Sequence, residues 1–245
     1  NPVNIIRYLP VSLFYIISMA FSYFGMRFLE ESISDPIENT AGAMCSLMCV
    51  LFLGEEIAPA VWAAIAIIVI GIIGVSREEG SADVNREQRL GKKLAIAAFA
   101  MPFCYATIDA LGSFLDIMFL EMETSPLIGV TEENIELVAN ISYELTFAIV
   151  GLILFIFMKC KRVKFELPKQ GDKILAAVCQ TAGQLTYVYA MSGNGAIAAP
   201  ILSSVCVVSL LLSRIFLKEK LTKKQYLFIG IIIAGILMLA VLEGE

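Results

Sequence analysis

The chain contains no histidine. That removes histidine acid–base catalysis, histidine proton relays and most zinc sites in one step. Its six cysteines, Cys45, Cys49, Cys104, Cys160, Cys179 and Cys206, show no CxxC spacing and no loop framework. They lie in or beside apolar runs and read as small packing residues. There is no HExxH, no GxSxG and no GxGD-type aspartate pair, so an intramembrane enzyme is not expected. There is no GxxxxGK[ST] loop either, which argues against ATP hydrolysis by this chain. No cofactor, no metal site and no nucleic-acid partner are expected. A signal peptide is not visible, and no period-2 alternation dominates, which argues against a transmembrane β-barrel.

What is present is apolar. Of 245 residues 58% are hydrophobic and the mean hydropathy is +0.81, whereas a soluble domain lies nearer 45–50% apolar. Uncharged runs of about 20 residues, each long enough to cross a hydrocarbon core of about 30 Å, predict an all-α polytopic membrane protein. The expected spans are 5–28, 35–53, 58–76, 92–118, 135–158, 172–191, 196–217 and 223–242. Pro36, Pro59 and Pro200 fall at or near helix starts, where a missing N–H does little harm. Pro102 lies inside the fourth span and should bend it. The polar segment 77–91 reads as a linker, and 121–134 as a second polar loop. The formal net charge of −5 says little, because charge in such a protein is sorted by side.

The stretch from Ala196 to Val241 is two apolar runs joined by a charged turn, and it has an earlier counterpart. A gapless shift of 164 positions lays Pro200-Ile201 on Pro36-Ile37 and Phe216-Leu217-x-Glu219 on Phe52-Leu53-x-Glu55. It also lays Gly235-Ile236 on Gly71-Ile72 and Tyr187 on Tyr23. A proline, a glutamate and a glycine held in one register indicate an internal repeat.

Two helices joined through F-L-x-E, the second ending in a Gly-Ile-rich run, resemble the EamA-type half of the drug/metabolite transporter superfamily. The likeness is strongest over 34–76 and 198–241. The resemblance implies two five-helix halves, substrate bound between them, and a transporter in the cell membrane. Residues 1–76 would be the C-terminal part of the first half, 77–91 the linker and 92–245 the second half. The repeated helices are the second and seventh spans. An odd offset puts the copies in opposite orientations, an inverted repeat. The fourth and fifth spans have no counterparts ahead of the first, so two helices of a ten-helix protein are expected to be missing upstream. Glu55 and Glu219 are expected to order their turns. Gly71, Gly74, Gly230 and Gly235 are expected to let helices approach closely.

Basic residues in the loops indicate sidedness. Arg27, Arg77, Arg86, Arg89, Lys92 and Lys93 fall on one face, with Lys159, Lys161, Arg162, Lys164, Lys169 and Lys173. Arg214, Lys218, Lys220, Lys223 and Lys224 join them, and only Arg7 lies opposite. The positive-inside rule makes the basic face cytoplasmic and puts Glu245 outside, although the resemblance implies both termini inside.

Ionisable groups within a span are costly unless they face a cavity or partner, so each is a candidate. Asp109 and Asp116 share a face of the fourth span, with Tyr105 one turn before Asp109; Asp116 lies nearer the span end. Asn140 and Glu144 stand at i, i+4 in the fifth span, and Gln180, Gln184 and Tyr187 form a stripe on the sixth. Glu38 follows Pro36, either lining the path or sitting at a helix start. Glu144, Asp109 and the Gln180–Gln184 stripe are expected to face one polar cavity between the halves. The expected function is a secondary transporter moving a small organic metabolite or drug-like solute by alternating access. A channel or divalent-cation pathway and a non-transporting scaffold are the alternatives. The partners are the solute and the lipid bilayer, with proton coupling and a homodimer left open.

Overall fold

A computed structural model describes residues 1–28, 34, 37–54, 58–80, 92–163, 170–203, 205–216 and 222–243. Among them every regular element is a helix. In order these are α1 (Val3–Arg7), α2 (Leu9–Gly25), α3 (Ala41–Met48), α4 (Pro59–Gly80), α5 (Lys92–Leu120), α6 (Ile135–Cys160), α7 (Gly171–Ser203), α8 (Val205–Phe216) and α9 (Lys223–Glu243). Pro36, Glu55, Glu219, Arg86, Arg89, Lys164, Lys169, Lys218, Lys220 and most of the 77–91 linker lie outside the described residues. Within α5 and α6, Ala100–Leu120 and Ile135–Cys160 are long and apolar enough to cross a membrane. Hydrocarbon cannot satisfy exposed backbone groups, and helices satisfy them internally.

The first span, expected as one helix over 5–28, is split at Tyr8 into α1 and α2, and two further features differ from expectation. The turn expected at residues 192–195, within Ser192-Gly193-Asn194-Gly195, does not form: α7 is one helix of 33 residues through Ser203. Residue 200 therefore lies within a helix rather than at the start of one. Glycine costs a helix about 1 kcal/mol, but opening the backbone in a membrane costs several kcal/mol per unsatisfied group, so the helix continues. The second difference is at α3. That helix ends in a single wide turn, Cys49–Leu53, with i→i+5 bonding. Gly54 then stops it in the left-handed region at φ 69°, a conformation that glycine adopts without steric cost.

The chain divides into two compact units, Asn1–Ile16 with Leu115–Asn194, and Ile17–Phe114 with Gly195–Glu245. In the first, α1 is tied to the polar loop by its side chains. Asn4, 2% exposed, donates from Nδ2 to the Ile128 carbonyl (3.0 Å) and accepts the Ile128 N–H at Oδ1 (2.9 Å). Arg7 donates to the Pro126 carbonyl. Farther along, the cover runs out. From Ile149 to Phe157 α6 exposes nearly every side chain, and so does α7 from Gly171 to Gly183. Cys179 on the second stretch and Cys160 at the end of α6 are exposed, so they are not the core packers expected, unlike the buried Cys45 and Cys49.

The second unit is centred on α4 and α9. Val61, Ala64, Ile65, Ile68 and Ile72 pack with Ile229 and Ile232, joined by Val207 of α8. Glycines set how closely the helices approach. A Cβ on Gly71 would lie 2.5 Å from Ile232 Cγ1 and 3.2 Å from both the Ile232 nitrogen and the Phe228 carbonyl oxygen. A Cβ on Gly235 would lie 2.7 Å from Ile68 Cγ1 and 3.2 Å from both the Ile68 nitrogen and the Ala64 carbonyl oxygen. As numbering rises along α4, the contacts fall along α9, so the pair is antiparallel. Gly74 meets the Phe228 ring, as expected of a close-approach glycine, but Gly230 meets nothing within 4 Å. Gly230 faces away from α4, a side that the spacing alone does not distinguish. Elsewhere in this unit Ala41 of α3 packs against Ala106 and Ala110 of α5, again through small residues.

Candidate functional site

The chemistry-bearing groups form two clusters, one in each unit. In the first unit the hub is Asp116, fully buried on α5. Its carboxylate accepts hydrogen bonds from the hydroxyls of Tyr8 and of Tyr15, the latter at 3.3 Å. The Tyr15 hydroxyl also lies 3.2 Å from that of Tyr187. The Tyr15 ring meets Tyr143 and Tyr187 edge to face, with centroids 5.8 and 6.1 Å away, a favourable aromatic geometry. A carboxylate away from water is tolerable only when hydrogen-bonded, and phenol hydroxyls serve that purpose here.

The second unit holds the other cluster. Glu38, 8% exposed, accepts from Ser22 (2.8 Å) and Ser34 (2.7 Å). Asp109 on α5 accepts from Ser18 (3.1 Å) and from Tyr105, and lies within electrostatic range of Glu38. These are two acids served by hydroxyls. Glu38 is thus held by side chains from α2 and from its own segment.

Tyr8, just ahead of α2, and Ser12, Tyr15, Ser18 and Ser22 along it are all buried. Their spacing of three and four puts them on one helical face. Along α5 Tyr105, Asp109, Ser113 and Asp116 follow the same rule. Within the first unit α2 serves Asp116, and within the second it serves Asp109. The α2 stripe went unread because serine is weakly polar and the hydropathy of the span hides it. Its i, i+3, i+4 spacing was nevertheless visible.

The candidates fall out as follows. Asp109, Tyr105 and Glu38 gather in the second unit. Tyr187 joins the Asp116 network in the first. Asp116 is fully buried because Tyr8 and Tyr15 close over it. Glu144 is partly exposed and accepts a 3.5 Å bond from Thr181. Asn140 and Gln184 are buried at 3% and 9% exposure. Gln180, one turn from Gln184, is exposed. The two glutamines share a face, but packing on that face begins only after Gly183, so they have unlike surroundings. Among the described residues no cluster of three metal-ligating side chains occurs.

Apolar helices of spanning length, with hydroxyl-served acids on their inner faces, define an integral membrane protein of the polytopic helical class. Residues 124–241 match the family described as the EamA-like transporter family. A solved crystal structure shares the fold, with a TM-score of 0.59 at 13% identity over 98% of this chain and 89% of the other. At that identity the likeness speaks to fold alone. No curated protein matches.

Proposed function

We propose that this protein is a secondary transporter of the cell membrane, moving a small organic solute by alternating access. Family membership points to transport rather than catalysis. The observation that carries the mechanism is the reciprocal contact of α4 and α9. Under the 164-residue shift Gly71, Ile68 and Ala64 become Gly235, Ile232 and Phe228, and the contacts of one glycine map onto those of the other. A pair related this way can exchange roles, and such exchange between inverted halves is how many secondary transporters open to either side.

The division at 77–91, a cytoplasmic basic face, proton coupling through a span carboxylate, and dimerisation belong to the same proposal. Purified full chain in vesicles, screened with labelled amino acids, sugars, nucleosides and organic cations, tests it. Saturable uptake of at least one class is expected. Vesicles no more permeable than protein-free ones across the panel would count against it.

A further inference from the structure

The first unit contains two buried polar atoms that meet no hydrogen-bond partner among the described residues: Asn140 Oδ1 and Gln184 Nε2. Buried polar groups are nearly always paired, so two orphans in one region call for a reason. They are opposite in kind. The Asn140 amide is oriented by its Nδ2, which donates to the Glu136 carbonyl at 3.2 Å, leaving the acceptor Oδ1 unmatched. Gln184 offers a donor.

The helix register also places them level with each other. Glu144 of α6 and Thr181 of α7 are bonded, which fixes the register of these consecutive helices. One turn along antiparallel neighbours in that register brings Asn140 level with Gln184. Tyr143 and Tyr187 lie one turn from Asn140 and Gln184 on opposite sides of that level, and both rings meet Tyr15 edge to face. The nearby carboxylate of Asp116 is already engaged by two tyrosine hydroxyls. Among the described residues neither orphan atom has a charged partner.

We propose that Asn140 and Gln184 form a two-point recognition site for an uncharged solute that carries a donor and an acceptor side by side on one planar edge, as a primary carboxamide or a cyclic lactam does. The solute donates to Asn140 Oδ1 and accepts from Gln184 Nε2, with the tyrosine rings alongside its plane. Without solute the helices close over both atoms and leave them unmatched, a cost that a matching edge relieves. A charged solute gains no counter-ion here and loses its hydration.

As the binding step of the transport cycle this rests on the transporter reading, but binding is measurable without flux. The experiment is thermal unfolding of the full chain in detergent, with nicotinamide and uracil as probes and nicotinate and methyl nicotinate as controls. Nicotinamide or uracil should raise the melting temperature by about 5 °C at roughly a hundredfold excess over Kd, and the controls should not. Gln184→Met removes the unmatched Nε2 and Asn140→Leu the unmatched Oδ1 at similar size, so each should lose the probe response. Either variant suffices if the other fails to fold. The proposal is overturned if neither probe shifts the parent chain or if the shift persists in a folded variant. A probe-induced shift without any vesicle uptake would leave this site standing and sink the transporter reading alone.

Discussion

Gly71 and Gly235 occupy equivalent positions on the two sides of one helix contact, each admitting the isoleucine that precedes the other by three residues. Ile232 reaches the first and Ile68 the second, and the backbone one turn farther on, at Phe228 and Ala64, closes each contact. The contacts of one glycine thus mirror those of the other.

The contact has a direct consequence for stability. Gly71→Ala and Gly235→Ala each place a methyl inside van der Waals range of both side chain and backbone, and each should destabilise by about 1–3 kcal/mol. Gly230→Ala adds a methyl in open space and should be neutral or stabilise by up to about 1 kcal/mol through helix propensity. Thermal unfolding of the three variants in detergent checks this, and equal effects at all three positions would mean that α4 and α9 do not pack as described.

The Asp116 network should behave as one unit. Tyr8→Phe removes a donor from a buried carboxylate and should cost about 1–3 kcal/mol. Asp116→Asn removes the charge that Tyr8 serves. In a double-mutant cycle the two should couple by about 0.5–3 kcal/mol. Additive losses would show that the hydroxyl and the carboxylate do not depend on each other.

Glu144 is set apart from that network, with only Thr181 beside it among the bonds seen. If its charge carries protons or pairs with a cationic solute, Glu144→Gln should lower transport at least tenfold, equivalent to about 1.4 kcal/mol in the barrier, with folding intact. Unchanged transport by Glu144→Gln would assign the residue a structural role.

The helical class and most helix ends were legible because uncharged length and glycine–proline punctuation are local signals. The break placed at 192–195 was misread for the same reason: Gly193 and Gly195 look like a turn locally, but the membrane penalises opening the backbone there. Asp116 was undervalued because its partners, Tyr8 and Tyr15, lie about a hundred positions away, and no spacing rule joins α2 to α5. Gln180 and Gln184 illustrate the opposite limit. Helical periodicity gives the face a residue occupies, but not how far along that face the packing extends. Asn140 and Gln184 were identified as polar residues on apolar helices, whereas the orphaning of one atom on each could emerge only once the helices were packed.

The central claim is that the solute site opens to one side at a time, and solute counterflow tests it most directly. Vesicles carrying the full chain are loaded with unlabelled solute, then diluted into trace labelled solute of the same kind. Alternating access predicts a transient overshoot, in which label accumulates inside above its outside concentration and then decays, because labelled solute rides inward on the return of the loaded carrier. A monotonic approach to equal concentrations, as through an open pore, would contradict the account.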